Sequence, residues 1–275
     1  MPTSVKSTKD SDAPTVRFTN TQDLFDIINS TTGDFLTVTN VSPNQFTEIE
    51  RERDIGRRTG QKKRYRMFRL RRYNANFRIL IITIPTDVHE VLHLELYDQY
   101  REQLAQNGRG RSWRSIGSAT RRAEEGHPDG DGGEGDSTGG PKPERGNKGA
   151  WPTLVIESGH SESLGESHND MKWWFSTSDH QVKIVLLAKF DDTRSIIILE
   201  KREEEAKTCL GATTTRRFAA IQPTLRQSIT IAQNATTDPV SYNVTRGALK
   251  LSFRLLFLRN PGPEEADFLF TPPPG

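Results

Sequence analysis

Residues 151–190 read WPTLVIESGHSESLGESHNDMKWWFSTSDHQVKIVLLAKF. Two apolar, β-branched runs, residues 152–158 and 182–190, have the length and composition of buried strands. Between them, Ser163 and Glu166 form a capping box that opens a helix reaching about Phe175. A strand, a helix and a second strand in this order predict an α/β or α+β architecture with a mixed sheet. A glutamate, Glu157, interrupts the first run at Leu154-Val155-Ile156-Glu157. A carboxylate in an apolar strand is costly unless it faces solvent, pairs with a base or binds a metal.

Upstream, residues 51–72 carry eleven Lys or Arg against Glu52 and Asp54. The second half of this stretch leads into a predicted hairpin over 65–84, turning at Asn74-Ala75-Asn76. Residues 85–87 stop that hairpin and start a helix. Asp87 and Glu90 fit a capping box, and Val88, Leu92, Leu96, Tyr100 and Leu104 recur at helical spacing up to about Gln106. A strand is expected over 113–120. Residues 123–150 are rich in glycine and acid and read as a flexible insert. Asp191-Asp192 turns the chain into a strand at 195–199, which the charged residues 200–207 are expected to end. Further strands are expected at 228–232 and 248–258. The domain reading is a disordered arm at 1–20, a core at 21–208 and a C-terminal extension at 209–275 that packs on it.

The 275-residue chain is 33% hydrophobic with a net charge of +2. That composition gives no overall basic character. The single cysteine, Cys209, excludes an internal disulfide and a Cys-based zinc site. The polar start lacks the apolar segment of a signal peptide, and the longest apolar run, 79–84, is far short of the roughly 20 residues that span a bilayer. These features predict a soluble intracellular protein without membrane contact, its nuclear or cytoplasmic address left open. The sequence is read as lacking a Walker motif, a Gly-rich dinucleotide turn and a metalloprotease H-E-x-x-H, and Gly159-His160-Ser161-Glu162-Ser163 lacks the final glycine of a serine-hydrolase elbow.

Pro152-x-Leu154-Val155-x-Glu157, a short Ser-x-Ser turn and a helix bearing a basic residue and aromatics resemble the PD-(D/E)XK nuclease superfamily. The likeness extends to bacterial restriction endonucleases and to a group of fungal nuclease-like proteins, in which P-T-L-V-I-E-x-G-x-S-E-S precedes D-x-[KR]-W-W. Here those segments are 152–163 and 170–174. Weaker likeness reaches Pro85-Thr86-x-x-His89-Glu90 and residues 253–271. The resemblance implies a restriction-endonuclease-like core with a mixed central sheet flanked by helices. It also implies Mg²⁺-dependent phosphodiester hydrolysis, in which two carboxylates on neighbouring strands hold the metal and a lysine stabilises charge at phosphorus.

Carried over, Glu157 matches the acidic ligand. The usual lysine position is Gly159, a departure, and the migrated lysine matches Lys172. The other metal ligand is best matched by Asp136 in Glu134-Gly135-Asp136-Ser137, with Pro128-Asp129 as a competitor. Glu90 has an accessory or a capping role; Asp170 pairs with a base or faces solvent. His160 and His168 read as turn or surface residues, and Met171, Trp173, Trp174 and Phe175 as core. Arg64, Arg66, Arg69, Arg71, Arg72 and Arg114, interleaved with aromatics, are candidate nucleic-acid contacts. The alternative is a catalytically inactive nuclease fold that binds nucleic acid or a protein.

Overall fold

The computed structural model describes residues 14–58, 65–123, 130–160, 163–207, 220–238 and 240–270. Arg64, Pro128-Asp129, Cys209 and most of the N-terminal arm lie outside these residues.

The predicted hairpin forms β3 (Arg69–Asn74) and β4 (Ile79–Thr83), antiparallel about the 75–78 turn. These join β1 (Thr15–Arg17), β2 (Phe35–Thr39), β6 (Arg121–Arg122) and β7 (Gly132–Gly133) in a mixed sheet of order β1-β2-β4-β3-β7-β6. The helices α1 (Thr21–Ser30) and α2 (Pro43–Arg58) belong to the same unit. Leu24, Phe25, Ile28, Phe46 and Ile49 pack there with Leu36, Val38, Leu70, Tyr73, Leu80 and Ile82. Arg53, on α2, shows that part of the basic stretch is helical and buried rather than a solvated face.

A second mixed sheet has the order β13-β12-β11-β10-β9-β8-β5. Its members are β5 (Trp113–Ser115), β8 (Ser137–Pro141), β9 (Leu154–Gly159), β10 (Ile184–Asp191), β11 (Ile196–Lys207), β12 (Ala220–Asn234) and β13 (Ser241–Val244). Strand β9 runs parallel to β10 and antiparallel to β8. Helix α3 (Asp87–Gln106) covers one face, where Tyr97, Tyr100 and Leu104 meet Leu154, Ile156, Ile184 and Leu186. Helix α4 (Leu164–Thr177) covers the other, where Met171, Trp173, Trp174 and Phe175 meet Val155, Val185 and Leu187. The alternation along β9 thus divides its side chains between two helices, as a strand buried on both faces requires. No helix among the described residues is long and apolar enough to cross a membrane.

Several sequence expectations are corrected. The glycine-rich segment is not a flexible insert where it is described: residues 131–141 are buried and contribute β7 and β8. The glycines answer to close packing. A Cβ on Gly133 would lie 2.5 Å from the Arg71 carbonyl oxygen and 2.7 Å from Trp173, and one on Gly139 would lie 2.5 Å from the Trp113 indole nitrogen. The strand expected over 113–120 stops at Ser115. The charged residues 200–207 do not end a strand; they continue β11, residues 200–203 between β10 and β12 and residues 204–207 paired with β12. Their charges pair along the way, Arg202 with Glu200 and Lys201 with Glu203. The strand expected over 248–258 divides into β14 (Leu249–Leu251), paired with β15 (Phe268–Phe270), and the short helix α5 (Phe253–Phe257).

Candidate metal and carboxylate site

The site forms where β3, the start of β8, the end of β9 and the first turns of α3 and α4 converge. Thr86, rather than Asp87, caps α3, accepting from the His89 N–H at 3.3 Å; Glu90 is thereby left to face Arg69. Ser163 caps α4 as the sequence predicts, accepting from the Glu166 N–H.

A bulge in β3 sets the charges. Leu70 pairs with Ile82 and Arg72 with the adjacent Ile81, so Arg71 is an extra residue. Such a bulge re-aims side chains. Leu70 and Tyr73 both enter the apolar core, while Arg69, Arg71 and Arg72 all meet carboxylates. Arg69 reaches Asp136 Oδ1 and Glu90 Oε1, each at 2.8 Å. Arg71 and Arg72 lie 2.6 and 3.0 Å from the two oxygens of Asp170.

Asp136 immediately precedes β8 and is 6% exposed; Glu157 lies in the neighbouring β9 and is 1% exposed. The Ser137–Ile156 pairing brings the two acids to the same level of the sheet. Asp136 Oδ2 accepts from the Ser158 N–H at 2.8 Å and the Ser158 hydroxyl at 3.0 Å. Glu157 Oε1 accepts from the Trp174 indole at 2.5 Å, while Oε2 is buried with no hydrogen-bond partner. Burial, reinforced by the Asp136 charge and opposed by Arg71, pushes the Glu157 carboxyl well above its ordinary range. Burial also opposes charge on Asp136, but His89, Arg69 and His93 outweigh it and hold that carboxyl well below the ordinary range. Two carboxyl groups thus stand close together with their proton affinities pushed in opposite directions.

Two histidines complete the cluster. His89 Nε2 lies 3.3 Å from Asp136 Oδ2, and neither ring nitrogen makes a hydrogen bond. Burial works against the charged ring, but Asp136 and Glu90 raise His89 to about 9. His93 Nδ1 meets the Ser137 hydroxyl at 2.8 Å, and its Nε2 lies 3.5 Å from Glu90 Oε1. His89, His93 and Asp136 can each offer a ligand atom, all within 4.8 Å of one another. Beside them lies a crevice too tight for a water molecule, lined by Asp34, Phe35, Arg71, Thr83, His89 and Gly159.

The structure therefore brings Asp136 and Glu157 together and adds Arg69 and Arg71. It does not bring Lys172, which is exposed on α4 while Trp174 of the same helix touches Glu157. Arg69, Arg71 and Arg72 are held in ion pairs with carboxylates, and Arg114 donates to the carbonyls of Gly146 and Asn147. Arg66, exposed, donates to the Thr31 carbonyl. Asp170 is buried and paired, while His160 and His168 are partly exposed and meet Asp192 and Glu200.

Sequence reasoning missed the two histidines. Their signal was present: residues 89–93 spell His-Glu-Val-Leu-His, an H-E-x-x-H on a helix, which places both rings on one face. Reading 87–90 only as a capping box concealed it, and the expectation that the chain lacks an H-E-x-x-H is corrected. No protein-family model and no curated protein matches the chain.

Proposed function

We propose that this site holds a divalent cation for phosphodiester hydrolysis of nucleic acid, in a protein with a restriction-endonuclease-like core. The observation that carries the reading is the buried pair Asp136 and Glu157, brought level by the pairing of β8 with β9. A mixed sheet with α3 and α4 on its two faces supports it. The open oxygen of Glu157 supplies a ligand atom with no competing partner. Oxygen ligands of this kind suit Mg²⁺, which when bound would orient the scissile phosphate and acidify the attacking water. Ser158 fixes the Asp136 carboxylate through two hydrogen bonds, and Trp174 fixes Glu157. With Lys172 remote from the pair, Arg71 is the base whose charge acts on Glu157, and it takes the charge-stabilising role.

A second reading is favoured by the ion pairs of Arg69, Arg71 and Arg72, which occupy groups that would otherwise meet phosphates. It is a catalytically inactive nuclease fold acting as a binding module for nucleic acid or a protein. Plasmid nicking in Mg²⁺ or Mn²⁺, wild type against Glu157→Ala, separates the two. Nicking that vanishes with Glu157 supports hydrolysis. Metal-independent retention of nucleic acid without nicking supports the binding module.

A further inference from the structure

We infer that His89, His93 and Asp136 form a binding site for a first-row transition-metal ion of the Zn²⁺ class, held in preference to Mg²⁺. This goes beyond the proposed function, whose cation is Mg²⁺ with Asp136 and Glu157 as its ligands. It shares Asp136 with that reading, yet it does not need phosphodiester chemistry to hold.

The donor set is the first argument. Two imidazoles and a carboxylate favour borderline transition metals, whereas Mg²⁺ takes oxygen ligands. Three protein ligands with a position left open are also the usual arrangement at catalytic zinc.

Geometry is the second. His89 and His93 stand four residues apart on α3, their ring centroids 5.7 Å apart, and Asp136 comes from the opposing strand end. All three candidate ligand atoms fall within 4.8 Å of one another.

An independent observation points to a missing ligand. His89 is 1% exposed, and its ring nitrogens face Asp136 Oδ2 at 3.3 Å and Glu90 Oε1 at 3.5 Å without either making a hydrogen bond. Polar atoms buried without partners are rare and costly, and a bound ion is one of the few explanations for them. His93 is prepared in a complementary way. A proton on Nδ1, donated to Ser137 Oγ at 2.8 Å, fixes the ring and leaves the Nε2 lone pair for the metal. An outer partner on the second nitrogen is the regular companion of a metal-bound histidine.

Arg69 currently fills the electrostatic role a cation would take. Its guanidinium bridges Asp136 and Glu90 and lies 3.5 Å from His93 Nε2. Arg69 holds Asp136 Oδ1 while His89 faces Oδ2, so an ion held through Oδ2 would share the carboxylate with a nearby positive charge.

The full chain, stripped with a chelator, is titrated with Zn²⁺, Co²⁺ and Mg²⁺ by calorimetry, with Co²⁺ also followed by visible absorption. The expected result is one Zn²⁺ or Co²⁺ per chain, nitrogen-ligand Co²⁺ bands, and much weaker Mg²⁺ binding. His93→Gln should weaken Zn²⁺ binding more than roughly 100-fold, beyond the cost of losing an outer partner. Glu157→Gln should retain it. His93→Cys should keep Co²⁺ and add a thiolate charge-transfer band, so the ligand assignment survives if the glutamine variant misfolds. Zn²⁺ binding of this pattern without nicking upholds the histidine site and sinks the nuclease reading. Mg²⁺ binding that equals Zn²⁺ binding, ignores His93 and requires Glu157 overturns the histidine site and leaves the nuclease reading standing. A wild-type chain that binds none of the three ions also overturns it.

Discussion

Arg53 grips Glu134 through two hydrogen bonds of 2.7 Å each, one to each carboxylate oxygen, with both side chains almost wholly buried. This fork ties α2 to the segment between β7 and Asp136. Glu134 also accepts from the Leu70 N–H and the Thr120 hydroxyl, so its acceptor sites are well occupied. Removing one partner of a buried pair strands the other charge. Arg53→Met should therefore cost about 3–5 kcal/mol of unfolding free energy. Urea denaturation measures this, and a loss under about 1 kcal/mol would show that the pair is dispensable.

Burial and Asp136 both disfavour the charge on Glu157 and push its carboxyl well above the ordinary range. A folded-state value above the unfolded one makes the stabilising contribution greatest at low pH and erodes it as pH rises. Glu157→Gln imitates the protonated form. Equal to wild type at or below the ordinary glutamate value of about 4.3, it should be the more stable of the two by pH 5 and increasingly so as pH climbs. Urea midpoints measured in chelator from pH 5 to 9 check the trend. A saturating divalent cation should narrow the gap, because it favours the ionised wild-type carboxylate.

His89 is raised from 6.5 to about 9 by Asp136 and Glu90 against the opposing effect of burial. Its contribution is complete below 6.5 and disappears as pH passes through about 9. In metal-free protein, one histidine NMR signal should titrate near 9, and His89→Gln should abolish it. The stability difference between wild type and this variant should shrink over the same interval. A Zn²⁺-class ion competes with the proton, so its affinity should climb as pH rises toward 9.

Arg69→Met should have opposite effects on the two states. Without metal it leaves Asp136 buried and lacking its guanidinium, at a cost of about 3–5 kcal/mol. With metal it removes a competing positive charge. Thermal melts with and without Zn²⁺ should show a larger metal-induced rise in Tm for the variant than for wild type. An equal or smaller rise would separate Arg69 from the metal site.

Local signals carried much of the architecture. Ser163 and Glu166 marked the start of α4, Asn74-Ala75-Asn76 marked the β3–β4 turn, and the apolar run around Glu157 marked β9. What the sequence concealed was tertiary. Gly133 and Gly139 imitate loop composition, yet they are small because Trp173 and Trp113 press against them. Asp136 looks like one acid among several until β8 pairs with β9 and sets it beside Glu157. Lys172 has the expected chemistry on the wrong face of α4, which nothing in the local sequence specifies. The charged half of β11 looks like the end of a strand because alternation weakens when side chains pair with one another along the strand.

The extra residue in β3 has a consequence for how this protein tolerates change. Because Leu70 and Arg72 pair with consecutive residues of β4, the ladder to β4 is complete without Arg71. Excising Arg71 would leave Leu70 and Tyr73 in the apolar core and Arg69 and Arg72 toward Asp136 and Asp170, at the cost of the Arg71–Asp170 pair and of a carbonyl that accepts from the Glu134 N–H. The deletion would subtract one positive charge beside Glu157 without shifting the hydrophobic face. Chain length at this position is therefore a dial for site charge, one that insertion and deletion can turn while the core beneath it stays the same.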